Sequence, residues 1–455
     1  MKSLICDQKT YFFLILLVSI GIGLQSLIYK IATIALLLQW ILCANYRHKL
    51  IKLRKDNFAI GFIGLYFLYA ISYFWSANDM VAVDDIILKS PFLIFPLVIL
   101  SVNNLTNKQF DIVFLSFSLT SLLLNLFCFG SALFSFLSTG HINDFYYTNL
   151  PLNMHVAYQS MYTCFSIVIF VYLFIKKKFI SSWLAYCAVI IQVAFVLLLA
   201  SRMQILILIV IAPLYLIPYY HKKKKMSLGL LYTALIFVFS FLIISIPSSL
   251  NKNEKRKSIN IAADNDNSNP RKHIWTSGIE VIKSNWLIGT GIGQAKDALS
   301  SSYSKQILKA PSADNLVDST MLQIQKNNKI ASSLKQQAIN SDTTFEKVLR
   351  DYAKNILISK NNNYKDYLKK QYNFHNQYLQ TFGEIGIFGL IILCYLLVYL
   401  FFQSLISNDY LIVFFLIIVG SSFLTESMLE RQAGVAFFAF FYVLLRARIT
   451  HNKLS

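Results

Sequence analysis

Three side chains stand at positions where their chemistry suits a phosphorylated substrate. Arg202 lies in Ala-Ser-Arg-Met between two strongly apolar runs, and Arg271 follows Pro270 in a polar segment. A guanidinium group is permanently charged, and its planar fork binds two oxygens at once, which suits a diphosphate. We predict that both arginines bind an anionic group. The alternatives are a side chain that extends to the lipid headgroups at position 202 and a solvated cation at position 271.

His375 is the third candidate, in the segment Phe-His-Asn-Gln-Tyr-Leu-Gln that precedes a long apolar run. A histidine at the beginning of a helix is biased toward neutral imidazole, because the helix dipole opposes added positive charge. Neutral imidazole can accept a proton from a hydroxyl nucleophile. We predict that His375 orients or deprotonates such a hydroxyl; the alternative is a structural histidine.

Glu384 is an acid inside the apolar run that follows His375. A charge in lipid is costly and needs a partner, so we predict that Glu384 supports the site rather than reacting in it. Gly383, Gly386 and Gly389 recur at intervals of three residues, a spacing that favours close packing of helices.

Further charged residues gather at the last predicted outer turn, where Glu426, Glu430 and Arg431 follow an apolar run. We expect these three side chains to pair with one another or to shape a pocket.

Other patterns exclude several kinds of site. Gly289-Thr-Gly291-Ile-Gly293 looks like a nucleotide-binding loop, but no P-loop lysine follows it, so we predict a glycine-rich turn. No cluster of His, Cys, Asp or Glu has metal-ligand spacing, which predicts a metal-independent reaction without a cofactor. The six cysteines include no CxxC pair, so neither a disulfide framework nor a zinc site is indicated.

The elements that must position these residues are membrane helices. Of 455 residues, 56% are hydrophobic and 14% are charged, whereas soluble domains carry about a quarter charged residues. Apolar runs of spanning length recur along the chain, which predicts an all-α integral membrane protein with about twelve transmembrane helices. The predicted spans are 11–28, 31–46, 58–75, 90–103, 110–137, 155–175, 179–200, 203–219, 227–246, 376–403, 409–425 and 432–447.

The basic residues predict the orientation of these spans. In alternate short loops lie Arg47, Lys49, Lys52, Arg54, Lys55, Lys108, Lys176 to Lys178 and Lys222 to Lys225, with Arg446, Arg448 and Lys453 in the tail. The positive-inside rule then predicts cytoplasmic termini. The predicted organisation is a bundle over 1–246, a large helical periplasmic loop over 247–375 and a final bundle over 376–455. Within the loop we expect a polar linker over 251–270 and then a helix, with Asn269 as its cap and Pro270 at its first position. The net charge of +20 does not indicate nucleic-acid binding, because no basic stripe is interleaved with aromatics.

Taken in order, these segments resemble the O-antigen ligase and O-antigen polymerase superfamily of bacterial membrane glycosyltransferases. The matching pieces are Ser201-Arg202, Arg271 with Trp275, Gly289-x-Gly291-x-Gly293, and His375-Asn376-x-Tyr378-Leu379-Gln380 continuing into Glu384-x-Gly386-x-x-Gly389. The motifs cover about 201–390, and the remainder resembles the family only in hydropathy.

The resemblance implies a fold like the C-type membrane glycosyltransferases and a glycan donor carried on undecaprenyl diphosphate in the bacterial inner membrane. Arg202 and Arg271 would hold the diphosphate, and His375 would orient or deprotonate the acceptor hydroxyl. That hydroxyl would attack the anomeric carbon with inversion. Supporting roles would fall to Trp275, Asn376, Tyr378 and Glu384.

Several acceptors stay open at this point. A lipid A-core sugar would make the protein a ligase, a carrier-linked repeat unit a polymerase, and a protein Ser or Thr an oligosaccharyltransferase. Residues 300–370 match nothing in the family and are expected to contribute to acceptor choice. A transporter or flippase of lipid-linked sugars is the alternative from another class. It predicts charged groups along a membrane pathway and internal repeats, neither of which the sequence shows.

Overall fold

The computed structural model describes most of the chain. The described residues are 6–43, 45–102, 104–151, 154–176, 179, 181–222, 224, 227, 270–309, 313–325, 327–341, 343–360 and 372–454. Every regular element in these ranges is helical, which confirms the predicted all-α class. The predicted span 227–246 and the predicted linker before Pro270 lie outside the described residues, apart from position 227.

The amino-terminal half is a bundle of mostly apolar helices. They are α1 (Gln8–Gly23), α2 (Ile28–Leu42), α3 (Tyr46–Arg54), α4 (Asn57–Ile71), α5 (Asp79–Lys89), α6 (Pro91–Phe95), α7 (Asn107–Thr139), α8 (Val156–Ile175), α9 (Ser182–Leu198) and α10 (Arg202–Lys222). Local chemistry sets the ends of these helices. In α7, for example, Thr106 and Gln109 form a capping box at the beginning, and Gly140 ends the helix with a φ of 70°.

The predicted outer segment and the carboxy-terminal part are also helical. Their helices are α11 (Pro270–Ser284), α12 (Ala295–Lys309), α13 (Ala313–Gln325), α14 (Asn328–Asn340), α15 (Phe345–Lys360), α16 (Gln377–Ile406), α17 (Tyr410–Thr425) and α18 (Gln432–Leu454). The predicted helix beginning at Pro270 is confirmed. Helices α13 to α15 enclose a small apolar core of their own around Val317, Leu334 and Leu349. The predicted domain boundaries stay predictions.

Five helices of the described chain are long and apolar enough to cross a membrane, and a sixth is added if α2 and α3 form one bent span. The five are Asn57–Trp75, Asn107–Thr139, Val156–Ile175, Gln377–Ile406 and Gln432–His451. Shorter apolar helices coincide with the predicted spans 11–28, 179–200, 203–219 and 409–425. The predicted span 90–103 coincides with two five-residue helices, Pro91–Phe95 and Pro96–Leu100. The membrane class is therefore supported, whereas the count of about twelve spans stays a prediction.

Helix α18 is the central element of the bundle. Its side chains from Val435 to Leu445 are all at most 1% exposed, the pattern of a helix surrounded by others. Phe437 stacks on Tyr162 of α8 and contacts Phe415 of α17. This central position brings the turn between α17 and α18 to the middle of one end of the bundle.

Helix α16 is broken near its beginning, and a glycine-rich loop fills the break. Ile385 and Gly386 leave helical geometry, with φ of 69° at Gly386. The backbone N–H of Ile387 donates to Trp286 O (3.0 Å), and the N–H groups of Thr290 and Gly291 donate to Gly383 O (2.8 Å) and Glu384 O (3.0 Å). The predicted turn at 289–293 therefore binds peptide groups that the break leaves without helical partners.

Two of the regularly spaced glycines of α16 leave room for this loop and for an aromatic ring, rather than for another helix. A Cβ at Gly386 would lie 2.2 Å from Leu287 O, and a Cβ at Gly383 would lie 2.6 Å from the ring of Phe374. The expectation from the interval of three residues was wrong at these two positions, because the space is taken by a loop backbone and by one aromatic ring.

We expect Gly289→Ala to destabilise the protein by about 1–3 kcal/mol, because Gly289 has a φ of 75° and a Cβ there would lie 2.3 Å from Glu384 O. The measurement is the thermal unfolding midpoint in detergent. Gly130→Ala in α7 is the matched control, since a Cβ there meets nothing within 4 Å. Equal midpoints for the two variants would contradict the docking role of the loop.

Cys6 and Cys43 form a disulfide, with their Cα atoms 5.6 Å apart. The prediction that no disulfide is indicated was wrong for this pair. The two cysteines flank a helical hairpin, and the antiparallel packing of α1 on α2 brings its ends together. The charge pattern predicts the cytoplasm at this end of the bundle, where thiols are kept reduced. With this Cα separation, Cys6 and Cys43 would be two neighbouring thiols in a reducing compartment and a disulfide in an oxidising one.

Candidate active site

Glu426 joins two of the predicted site residues at the end of the bundle where α17 passes into α18. Its Oε2 lies 3.0 Å from His375 Nδ1, and its Oε1 lies 3.3 Å from Arg271 Nη2. The side chains of His375, Glu426 and Arg271 are 28%, 18% and 42% exposed. The cluster is therefore packed on one side and open to a substrate on the other.

Helix α11 places Arg271 and holds the segment before His375. Trp275, one turn after Arg271, donates from Nε1 to Phe374 O (3.0 Å). The ring of Phe374 is fully buried, and it fills the space that Gly278 of α11 leaves. The same helix face thus positions both the cation and the residue next to the histidine, which fits the predicted supporting role of Trp275.

His375 is held in an uncommon backbone conformation by the residues around it. Its φ is 46°, in the left-handed region, and its N–H donates to Asn373 Oδ1 (3.0 Å). Asn376 caps α16 by accepting from Leu379 N (3.1 Å) and donates from Nδ2 to Leu424 O (3.1 Å).

Two more predicted supporting residues lie on α16. Tyr378 donates from its hydroxyl to Gly420 O of α17 (3.0 Å), which ties the two helices together behind the cluster. Glu384 is 1% exposed, and its Oε1 accepts a hydrogen bond from Gln380 Nε2 (2.8 Å). Among the described residues, no hydrogen bond or ion pair joins either side chain to the three residues of the cluster, so their supporting role stays a prediction.

Electrostatics keep Glu426 ionised. Burial acts to raise the pKa of its carboxyl group, but the hydrogen bond from His375 and the positive charges of His375, His155 and Arg271 outweigh it. The net pKa of Glu426 is therefore below its ordinary value. A carboxylate beside Nδ1 of His375 favours the tautomer with a proton on Nδ1, which leaves the lone pair of a neutral imidazole on Nε2.

We expect the stability that Glu426 contributes to disappear in acid. Because its folded-state pKa is lowered, the contribution is present above the ordinary glutamate pKa of about 4.3 and is lost as the pH falls through the folded-state pKa. The measurement compares unfolding midpoints of wild type and Glu426→Gln from neutral to acid pH. The difference between them should shrink below about pH 4.3. A difference that is constant with pH would contradict this assignment.

His155 is a site residue that the sequence reasoning missed. It stands before α8, with Nδ1 accepting from Ala157 N (3.4 Å), and its charge lowers the pKa of Glu426. Burial, more than the neighbouring charges, lowers the pKa of His155 itself. The signal in the sequence was a histidine directly before an apolar run, as at His375.

The charges at the last outer turn pair differently from the expectation. Lys89 is 1% exposed, its Nζ lies 2.9 Å from Glu430 Oε1, and it sits 4.9 Å from the ring centre of Tyr69. Among the described residues, Glu426 and Glu430 form ion pairs with other elements and none with Arg431. The expected mutual pairing was wrong, because partners distant in the chain, on α5 and α11, reach the two carboxylates.

Arg202 lies at the same end of the bundle but outside the cluster. It is exposed and begins α10. Two residues later, Gln204 donates from Nε2 to Ser422 Oγ of α17 (2.7 Å), and Ser422 O accepts from Glu426 N (3.1 Å). In the described chain no hydrogen bond or ion pair joins Arg202 to Arg271, Glu426 or His375, so its diphosphate-binding role stays a prediction.

A cavity of about 230 Å³ has Met154 and Gln432, the sequence neighbours of His155 and Arg431, in its lining. Its lining residues are Ile22, Gln25, Ser26, Leu27, Tyr29, Lys30, Met154, Tyr162, Gln432, Ala433 and Ala436. None of the three cluster residues lines it, and ligand pockets for drug-sized molecules measure roughly 300–1,000 Å³, so this volume is small for an oligosaccharide. No metal-binding group of three or more His, Cys, Asp or Glu occurs in the described ranges. Metal independence stays a prediction.

Comparison with known proteins supports the family that the motifs indicated. A family model described as O-Antigen ligase matches residues 187–325. The matched region contains Arg202, Arg271, Trp275 and the glycine-rich loop, and it ends before His375. It also covers residues 300–325, so the prediction that residues 300–370 match nothing in the family was wrong for that part. A search of curated proteins found no match to the chain. The predicted resemblance to the O-antigen ligase and polymerase superfamily is thereby confirmed over the matched region.

Proposed function

We propose that this protein transfers a glycan from undecaprenyl diphosphate to an acceptor hydroxyl at the periplasmic face of the bacterial inner membrane. The family match supports a glycosyltransferase-type enzyme of the ligase or polymerase kind. The observation that carries the finer proposal is the contact of Glu426 with both His375 and Arg271 at one end of an apolar bundle. This contact puts His375, the proposed proton acceptor, beside Arg271, the proposed anion-binding group.

In the proposed reaction, the leaving group is the carrier diphosphate. Arg271, assisted by Arg202, neutralises the charge that develops on the diphosphate oxygen as its bond to the anomeric carbon breaks. A guanidinium has five N–H donors, so Arg271 can bind phosphate oxygens and keep its bond to Glu426. Stabilising the negative charge of the departing diphosphate in this way lowers the barrier without a metal ion.

The proton of the acceptor hydroxyl passes to His375. As the acceptor oxygen attacks the anomeric carbon, Nε2 of His375 takes the proton, and the resulting imidazolium is stabilised by the Glu426 carboxylate at Nδ1. Attack opposite the leaving diphosphate inverts the anomeric centre. The products are the glycosylated acceptor, undecaprenyl diphosphate and a protonated histidine that returns its proton to solvent.

The acceptor is a glycan, a lipid A-core sugar or a protein hydroxyl. The ligase and polymerase reactions are the proposal, with protein O-oligosaccharyl transfer as the alternative. Helices α12 to α15 are the part of the outer segment that carries no cluster residue, so we assign acceptor choice to them. The termini are proposed to be cytoplasmic, and residues 247–375 periplasmic.

A transporter or flippase of lipid-linked sugars is the alternative from another class. A polar group inside the bundle bears on it: Asn125 donates to Thr163 Oγ1 (3.0 Å) and Gln192 Oε1 (2.5 Å), and Gln192 donates to Ser166 Oγ (2.9 Å). These side chains are buried and bond one another across α7, α8 and α9. Such a closed network favours helix association over a pathway for a sugar.

The test is rescue of a strain that lacks the protein. Wild type is compared with Arg202→Ala, Arg271→Ala and His375→Ala at matched membrane expression, with surface polysaccharide scored by gel and carrier-linked glycan by mass spectrometry. We expect the variants to accumulate carrier-linked glycan without finished product. Long carrier-linked chains would indicate a ligase or oligosaccharyltransferase, and single repeat units a polymerase. Full rescue by all three variants would refute the proposed site and favour the transporter.

A further inference from the structure

The first two turns of α16 bury a row of polar side chains at positions where a membrane helix is expected to be apolar. Gln377, Gln380 and Thr381 are 0% exposed, and Glu384 is 1% exposed. The spacing i, i+3, i+4, i+7 puts all four on one face of the helix. Burying polar groups at the end of a span is costly, so these side chains are expected to make hydrogen bonds that apolar side chains cannot make.

The amide of Gln380 connects three segments. Its Oε1 accepts from Phe374 N (3.1 Å) and from Ser427 Oγ (3.4 Å), and its Nε2 donates to Glu384 Oε1 (2.8 Å). Phe374 immediately precedes His375, and Ser427 immediately follows Glu426. One side chain therefore touches the neighbours of both members of the histidine–carboxylate pair.

Ser427 closes the arrangement on the other side of the histidine. Its Oγ accepts from Asn376 N (3.3 Å) as well as donating to Gln380 Oε1. The backbone N–H groups of Phe374 and Asn376, on either side of His375, thus donate to Gln380 and Ser427. With both flanking peptides fixed, His375 is kept at its φ of 46°, a conformation that non-glycine residues adopt infrequently.

Phe374 and Glu384 together fix which way the amide points. The backbone N–H of Phe374 can only donate, so it faces the carbonyl oxygen of Gln380, and Glu384 Oε1 accepts from the NH2 group on the other side. Among the described residues the second oxygen of Glu384 has no hydrogen-bond partner. In these ranges, the hydrogen bond that the Glu384 side chain makes is therefore the one from Gln380.

We propose that Gln380 is a positioning residue that holds His375 against Glu426, with Glu384 helping to fix the orientation of its amide. The inference rests on the proposed function, because it requires His375 and Glu426 to be the reacting pair. Gln380 acts by fixing the backbone on both sides of the contact between His375 Nδ1 and Glu426 Oε2 and touches no substrate.

The test measures turnover by purified protein added to membranes of the strain that lacks it, which supply the accumulated carrier-linked glycan and its acceptor. We expect Gln380→Met to lower kcat about 10–100-fold, the usual effect of removing an outer hydrogen-bond partner, with the donor KM little changed. Ser427→Ala removes the hydrogen bond between Ser427 and Gln380 with a smaller change of the side chain. The double variant should lose little more than either single one, because both act in one unit.

A pH profile separates positioning from loss of fold. If His375 moves away from Glu426, the carboxyl group loses the hydrogen bond that lowers its pKa, so the pH-dependent part of the stability that Glu426 contributes should shrink in both variants. Thr381→Val is the matched control, since Thr381 is equally buried on the same face but bonds Gln377 and Tyr69. We expect its kcat and the pH dependence of its unfolding midpoint to stay near those of wild type.

The outcomes distinguish this inference from the proposed function. If His375→Ala is inactive while Gln380→Met and Ser427→Ala match Thr381→Val in kcat and pH profile, the positioning role is refuted and the proposed site stands. Fully additive losses in the double variant would also refute it. If His375→Ala is fully active, the proposed function and the positioning role both fail.

Discussion

Replacing His375 by alanine should reduce glycan transfer by about 10²- to 10⁴-fold, the usual range for a group that accepts a proton in the transition state. In the proposed mechanism Nε2 of His375 takes the proton of the acceptor hydroxyl, while Glu426 contacts Nδ1 of the same ring. The measurement is the initial rate of carrier-linked glycan consumption in membranes, at matched protein amounts.

The control for this variant is His141→Ala. His141 is exposed and lies between α7 and α8, and its backbone O accepts a hydrogen bond from Asp144 N (3.1 Å). We expect that variant to keep wild-type activity. A His375→Ala protein that folds and retains more than about a tenth of the wild-type rate would contradict the assignment. His375→Gln separates the two roles, because an amide can orient a hydroxyl but cannot take its proton at neutral pH.

Arg271→Ala should lower the rate by about 10²- to 10³-fold, as when a single preorganised donor to a developing anion is removed. The loss should appear mainly in kcat, because the charge on the diphosphate oxygen grows as the bond to the sugar breaks. Arg271→Lys should recover part of the rate, since lysine keeps the charge but not the planar fork. Steady-state rates at several concentrations of the extracted carrier-linked glycan measure both parameters.

The matched control for Arg271 is its neighbour. Lys272→Ala removes the same unit of charge from the same helix, so it separates the guanidinium contact with Glu426 from the general positive potential of α11. If Arg271→Ala and Lys272→Ala lose activity equally, long-range electrostatics rather than a specific contact would explain the effect. Similar rates for Arg271→Ala and wild type would remove Arg271 from the site.

The residues of the site were predictable where a local pattern marks them. His375 before an apolar run and Arg271 after Pro270 carry signals that a single stretch of sequence contains. Glu426 was noticed, but its partners were not, because it meets Arg271 across 155 positions of the chain. Spacing along a sequence does not determine which helix ends meet, and that is decided by the packing of α17 and α18 against α11.

Contacts made by backbone or by small side chains were the least predictable. The glycine-rich loop was expected to be a turn, yet its peptide groups complete a helix that lies about a hundred residues later in the chain. The pair of Cys6 and Cys43 was missed for a related reason: no motif marks it, and only the antiparallel hairpin of α1 and α2 brings the two together. Lys89, fully buried against Glu430, was missed because its partner lies 341 positions later in the chain.

The break in α16 imposes an order on biogenesis. Peptide groups left unpaired in hydrocarbon cost several kcal/mol each, so a span interrupted at Ile385 and Gly386 is poorly suited to lipid until Trp286, Thr290 and Gly291 reach it. That loop is synthesised before α16. In the proposed topology, with residues 247–375 periplasmic, the loop has to cross the membrane before it can meet the emerging span. On that topology, the proposed site is assembled only in chains whose outer segment has been exported.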